Sequence, residues 1–216
     1  PANNEVSLMQ QERYQRAIKL HGENYPLMKK HYCSDHEVVP LIGFDFEGYG
    51  SHSITVGKLS SCTVHRQTFY ELLFSCTAPF IIEVMGKSYK INPYGLCIIS
   101  TDIDHYVPPC FGEGDIISVL INRNPPGPYV FLNLVAGCDV LLNFFTDAFR
   151  RSGRCNFMHI VDKGDEDIRE AMRCLVIDSA ERQKIFQRLV EADLSRLLIL
   201  IEQIGRASCR ERVSNC

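Results

Sequence analysis

Hydrophobic positions change their period along this chain, and the changes divide it into parts. From Glu5 to Leu20, Leu8, Tyr14, Ala17 and Ile18 recur among charged neighbours at a spacing that predicts a short amphipathic helix, and His21 and Gly22 give it a stop. Gly43, Gly48, Gly50 and Gly57 then punctuate a mixed stretch that reads as loop passing into β-structure. Between Ser53 and Leu120 the pattern is short, β-branched and aromatic: ITVGKLSSCTV, TFYELLFSC, FIIEVMGKSYKI and LCIIS, broken by Pro79, Gly86, Pro93 and Gly95. Met85-Gly86-Lys87 reads as a hairpin turn, with positive φ at Gly86. GDIISVLIN adds one more strand after Gly114, and Pro125, Pro126 and Pro128 close the block, because proline lacks the amide hydrogen that a ladder or helix needs.

From Asp139 the period becomes helical. Leu141, Phe144, Phe145 and Ala148 share a face of VLLNFFTDAF, and Asp165 and Glu166 form an acidic start to IREAMRCLVI that suits a helix dipole. In the last segment Ile185, Phe186, Leu189, Val190, Leu194, Leu197, Leu198 and Ile201 form one broad apolar stripe. A stripe of this width needs a partner. Two are open: the chain's own barrel or neighbouring helix, and a second copy across a dimer seam, and the two are not exclusive.

The stretch IGRASCRERV, Ile204 to Val213, reads as translation of a sequencing-adapter oligonucleotide, so the native chain is expected to be cut at about Gln203. The expected organisation is therefore a lead-in with one helix over 1–52, a barrel over 53–128, a helical connector with dimerisation helices over 129–203, and the adapter-derived tail over 204–216. Strands in close succession followed by helices predict a mainly β fold with α, a small barrel carrying a helical unit.

Composition narrows the function classes. The chain has 23 basic and 26 acidic residues; removing the tail's three arginines and one glutamate leaves 20 and 25. No basic block stands out to release counterions from phosphates, so this stretch is not expected to grip nucleic acid by itself. Ten cysteines without a CxxC pair read as reduced, buried thiols rather than a zinc site or a disulfide framework. With no signal peptide and no membrane-length apolar run, the expected location is cytoplasmic. There is neither a G-x-S-x-G elbow nor a glycine-rich phosphate loop.

The candidate chemistry lies at one strand. Alternation puts His65, Gln67, Phe69 and Glu71 on one side, and His105, after LCIIS, could close the group. His65, Gln67, Glu71 and His105 are the expected polar ligand contacts, with Phe69, Tyr70 and Tyr106 as walls. Two imidazoles and a carboxylate can also hold a divalent ion, although Gln67 is a poor ligand.

The run HRQTFYELLF, then GKSYKINPYGLCIIS, then DIDHYV resembles the barrel of AraC-type transcription regulators, which are cupins in fold. That family's H-x-H-x-x-x-E-L strand, Y-x-L-x-P-G-D stretch and following His fall here on His65, Glu71, Leu72, Tyr89, Ile91, Pro93 and His105. FFTDAFRRSGRCNFMHIVDKGDEDIREAM is similar to the family's helical connector, and the likeness runs from about Val56 to Gln203. Gln67 replaces a second His, Tyr94 and Gly95 replace a Gly-Asp turn, and Thr101 sits where a Pro is common. The resemblance implies a cupin-like jelly-roll sensor of a small molecule, a sugar or small metabolite. It also implies a homodimer built on Phe186, Leu189, Val190, Leu194, Leu197, Leu198 and Ile201, and DNA contacts only through a C-terminal helix-turn-helix half absent here. No cofactor, catalytic residue or membrane contact is expected. The alternatives are a metal-dependent cupin enzyme using His65, Glu71 and His105, and an interaction module with an inert barrel.

Overall fold

A computed structural model describes the backbone of residues 8–20, 39–41, 52–57, 64–67, 69–108, 116–121, 137–149, 157–160, 165–181 and 186–214, and the side chains of most of these. A helix over 8–20 (α1) precedes strands β1 (Val39–Leu41), β2 (His52–Gly57), β3 (His65–Gln67), β4 (Tyr70–Ser75), β5 (Phe80–Val84), β6 (Lys87–Ile91), β7 (Leu96–Ile99), β8 (His105–Tyr106) and β9 (Ile116–Ile121). Helix α2 (Asp139–Phe149), strand β10 (Phe157–Ile160), and helices α3 (Glu166–Glu181) and α4 (Phe186–Ser214) follow.

The strands form two five-stranded sheets, ordered β1-β3-β8-β5-β6 and β10-β7-β4-β9-β2. Within them the antiparallel pairs are nested: β2 with β9, β3 with β8, β4 with β7, and β5 with β6. A long hairpin folded over on itself gives this order, which is the jelly roll of cupin-type barrels. Only β1 runs parallel to its neighbour, β3. The mixed architecture expected from the strand-then-helix pattern is the one observed.

The second sheet is buried on both faces, which is why β4, β7 and β9 read as apolar runs without alternation. On the inner face Leu73, Cys97, Ile99 and Ile116 meet Phe80, Ile82, Val84 and Ile91 of the first sheet. On the outer face Tyr70, Leu72, Phe74, Ile98, Ile117 and Val119 lie under Leu141, Phe144 and Phe145 of α2 and the apolar faces of α3 and α4. Alternation therefore operates along β4: Tyr70, Leu72 and Phe74 face the helices, and Glu71, Leu73 and Ser75 face the barrel interior.

Several sequence expectations take a different form. β1 and β10 lie in stretches that the pattern left as lead-in and helical connector, and β10 extends the second sheet by pairing with β7. On α1 the core contact comes from Ala17, with Tyr14 and Ile18 partly buried, while Leu8 is exposed. The hairpin is as expected and tighter: Met85 and Gly86 both have positive φ, 51° and 75°, the signature of a two-residue type I′ turn between the paired Val84 and Lys87. Tyr94 adopts φ 62°, where the resembling family has a glycine. Its amide donates to Ser75 O at 3.0 Å, and the Arg169 guanidinium lies 4.9 Å from its ring centre, so the ring docks α3 on the barrel turn.

The C-terminal stripe is spent inside the chain. Val190, Leu194, Leu197, Leu198 and Ile201 are buried in the core between the second sheet and the helices. Leu189 is half-buried, and the side chains of Ile185 and Phe186 lie outside the described residues. Of the two partners the pattern left open, the chain's own sheet and helices take these five residues. A seam on them would require unpacking the core. Helix α4 itself continues through Ser214, past the expected cut at Gln203.

Two carboxylates add chemistry to the helices. Glu202 on α4 is buried and accepts the amides of Val140 at 3.0 Å and Leu141 at 3.1 Å, satisfying the exposed end of α2 where the dipole favours negative charge. Asp193 on α4 faces Asp178 on α3; burial first, then the Asp178 charge and hydrogen bond, push its carboxyl up from 3.8 to about 7, against the opposing pull of Arg196. The folded state thus binds this proton more tightly than the unfolded chain does. The stability it contributes is fully present below about pH 3.8 and is lost as pH rises through about 7. The melting temperature is expected to fall over that window, and Asp193→Asn to flatten the fall. An unchanged pH slope in Asp193→Asn would remove the pair as its source.

Candidate binding site in the barrel

The site sits where the chain crosses from one sheet to the other. Sequence alternation treats His65 to Glu71 as one strand, but β3 ends at Gln67, β4 begins at Tyr70, and the two belong to different sheets. His65 and Gln67 reach the interior from the first sheet and Glu71 from the second, so they converge across the corner rather than along a face. Register brings in His105, whose Cα pairs with that of His65. The two rings stand 4.3 Å apart, inclined by 59°. The turn carrying Thr101 and Asp102 holds this corner, with the Asp102 amide donating to Gln67 O at 2.7 Å.

Glu71 is the hub. Ser118 Oγ donates to its Oε1 at 2.7 Å, Gln67 Nε2 donates to its Oε2 at 3.1 Å, and His105 Nε2 lies 3.3 Å from that same Oε2. His105 Nδ1 is 2.8 Å from the carbonyl of Ile103, which accepts only from a protonated Nδ1. The His105 ring therefore bridges the Ile103 carbonyl and the Glu71 carboxylate inside the barrel. Burial alone would raise the Glu71 carboxyl. The His105 hydrogen bond and charge, the Ser118 hydroxyl and the His65 charge outweigh it, and the group ends below its ordinary 4.5. Nearby, burial followed by the Glu71 charge pushes the Cys97 thiol well up, so it stays a neutral thiol facing the interior.

His65, Gln67, Glu71 and His105 are thus brought together, all buried. Phe69 is buried at the crossing between β3 and β4. Tyr70 and Tyr106 are placed elsewhere. Tyr70 points to the opposite face from Glu71, its hydroxyl 3.3 Å from Phe145 O and its ring edge-on to the Phe145 ring at 4.7 Å, so it ties sheet to helix. Tyr106 follows the inward His105 and so faces outward, with its hydroxyl on Glu83, whose hydrogen bond is the main cause of the raised phenol. Both corrections follow from strand alternation, since each is one residue from an inward neighbour. Ser118 was missed, although its signal was present as the one polar residue in IISVLI.

His65, Glu71 and His105 each offer a ligand atom, and these atoms lie within 4.8 Å of one another. Two imidazoles and one carboxylate fit a divalent transition metal in kind. Glu71 and His105 already contact each other at 3.3 Å, so an ion held by all three would have to replace that contact.

No family model and no curated protein matches this chain. Among solved structures, ToxT from Vibrio cholerae in its P21 form is 10% identical, with 71% of this chain and 57% of that chain covered at a TM-score of 0.42. ToxT bound to (E)-4-(8-methylnaphthalen-1-yl)but-3-enoic acid is 11% identical over the same shares at 0.43. The EutQ protein of Clostridium difficile is 10% identical, with 33% of this chain and 57% of that chain covered at 0.28. This chain spans a little over half the length of each. At these scores each is a likeness and nothing more, and the assignment of a jelly roll rests on the strand order of the chain itself.

Proposed function

We propose that this chain is the effector-sensing part of a cytoplasmic, non-catalytic transcription regulator of the AraC type. Its barrel would take a small molecule, a sugar or small metabolite, and its helices would pass that state to a homodimer partner and to a DNA-reading half further along the protein. One observation carries this reading. Strand β4 holds the buried polar hub on one face and the helix contacts on the other, with Glu71 inward and its neighbours Tyr70 and Leu72 packed under α2, α3 and α4. A ligand that re-seats Glu71 acts on the strand that carries the helices, and its differential affinity for two helix arrangements would shift their populations. The resemblance of HRQTFYELLF and its following motifs supports the family assignment. No helix among the described residues is long and apolar enough to cross a membrane.

The test is the intact coding sequence beyond the codon for Gln203. Continuation into two helix-turn-helix units supports the regulator; a stop codon there removes it. The cluster of His65, Glu71 and His105 favours a second reading, a metal-dependent cupin enzyme. Protein purified without chelator is expected to carry no stoichiometric transition metal, and one bound equivalent per chain, by elemental analysis, would put the metal reading in place of the sensor.

A further inference from the structure

The buried cluster has one acceptor left over. Gln67 is 1% exposed, and its Nε2 donates to Glu71. That bond fixes which way the amide lies, because the reverse orientation would set an amide oxygen against a carboxylate oxygen. Gln67 Oε1 is then buried and meets no donor among the described residues. A buried acceptor without a donor is a standing cost that an incoming donor removes. Glu71, by contrast, already takes Ser118, Gln67 and His105.

The charges around it narrow what can bring that donor. Among the described residues, the buried polar and charged groups include no lysine or arginine. Arg66 points away and pairs with Asp104 at 2.7 Å on the surface, and Lys87 and Lys90 are exposed on β6. A ligand carboxylate would meet an acceptor rather than a donor at Gln67 Oε1 and lie beside the Glu71 carboxylate, with no buried lysine or arginine among the described residues to offset it, and like charges at short range in a buried site repel strongly. A ligand ammonium fares little better, because the Glu71 oxygens are already taken by Ser118, Gln67 and His105.

We propose that Gln67 is the selectivity group of the barrel: its Oε1 accepts a hydrogen bond from a neutral hydroxyl or amide donor on the ligand, and the cluster turns carboxylates away. This rests on the sensor reading and adds to it the class of ligand.

The experiment uses the whole chain and matched probes: xylitol, D-xylose and D-glucose against D-xylonate, D-gluconate and palmitoleate, by thermal shift and then calorimetry. At least one neutral probe is expected to bind and none of the carboxylates. Gln67→Met, which keeps the volume and deletes the acceptor, should weaken that probe about tenfold or more, the scale of one buried hydrogen bond. Because Gln67→Met also removes the Nε2 donor to Glu71, its melting temperature without ligand should fall by a few degrees with the fold kept, and lost probe binding by the folded variant is the readout. A carboxylate that binds as well as its neutral counterpart, or a neutral probe that binds Gln67→Met unchanged, overturns the selectivity while leaving the sensor standing. Binding by no probe of either kind overturns both.

Discussion

Leu194→Glu is expected to leave no cooperatively folded protein, rather than to split a dimer into folded monomers. Leu194 is fully buried between the second sheet and the helices. Truncating such a leucine costs about 2–5 kcal/mol, and placing a carboxylate there adds desolvation with no partner. Together these approach the roughly 5–15 kcal/mol that holds a domain together. Leu198→Glu should behave in the same way. Ile199→Glu is the control, since Ile199 is 48% exposed on the same helix and surface changes usually stay within about 0.5 kcal/mol. Circular dichroism melting and size-exclusion chromatography read both effects. A folded, monomeric Leu194→Glu beside a dimeric wild type would restore the stripe as a dimer seam.

The second large effect is expected at Glu71. Glu71→Ala leaves Ser118 Oγ, Gln67 Nε2 and the His105 ring without their shared acceptor, all of them buried. Leaving three buried polar groups without the carboxylate they share costs about 3–5 kcal/mol. For a chain of this size that lowers the melting temperature by roughly 10 °C. Glu71→Gln keeps the volume and an acceptor for Ser118, and loses the charge that meets His105, so its loss should be about half as large. Equal melting temperatures for Glu71→Ala and the wild type would mean that the network drawn around Glu71 is not formed.

Much of this was legible in the sequence, and the exceptions have physical causes. The turn at Met85-Gly86 and the acidic start of α3 announce themselves because turn and cap chemistry is local; Asp165 Oδ1 accepts the Asp167 amide at 2.9 Å, as a cap should. His65, Gln67 and Glu71 were grouped through alternation along a single strand, whereas they meet across a corner between two sheets; the grouping survives because both routes send odd-numbered residues inward. Tyr70 and Tyr106 were misplaced because an aromatic ring reads the same from either face until the register is known. The stripe of α4 could not reveal its partner, since a helix face buried on its own sheet and one buried on a second copy carry the same spacing. Ser118 was overlooked because a lone hydroxyl in an apolar strand gains its meaning only from Glu71, 47 residues away in the chain. β10 escaped notice because FMHI is short and lies among helical segments.

The central claim is that the barrel's buried cluster, and not a surface recess, is where a small molecule binds. A recess lies elsewhere, on the surface, a cleft of about 340 Å³ lined by Gln10, Gln11, Tyr14, Gln15 and Arg173 between α1 and α3. The direct measurement is a crystal structure of this chain with whichever small molecule stabilises it in solution. The account predicts ligand density inside the barrel, with a donor within hydrogen-bonding distance of Gln67 Oε1; density in the cleft beside Arg173, with the barrel cluster unchanged, would contradict it.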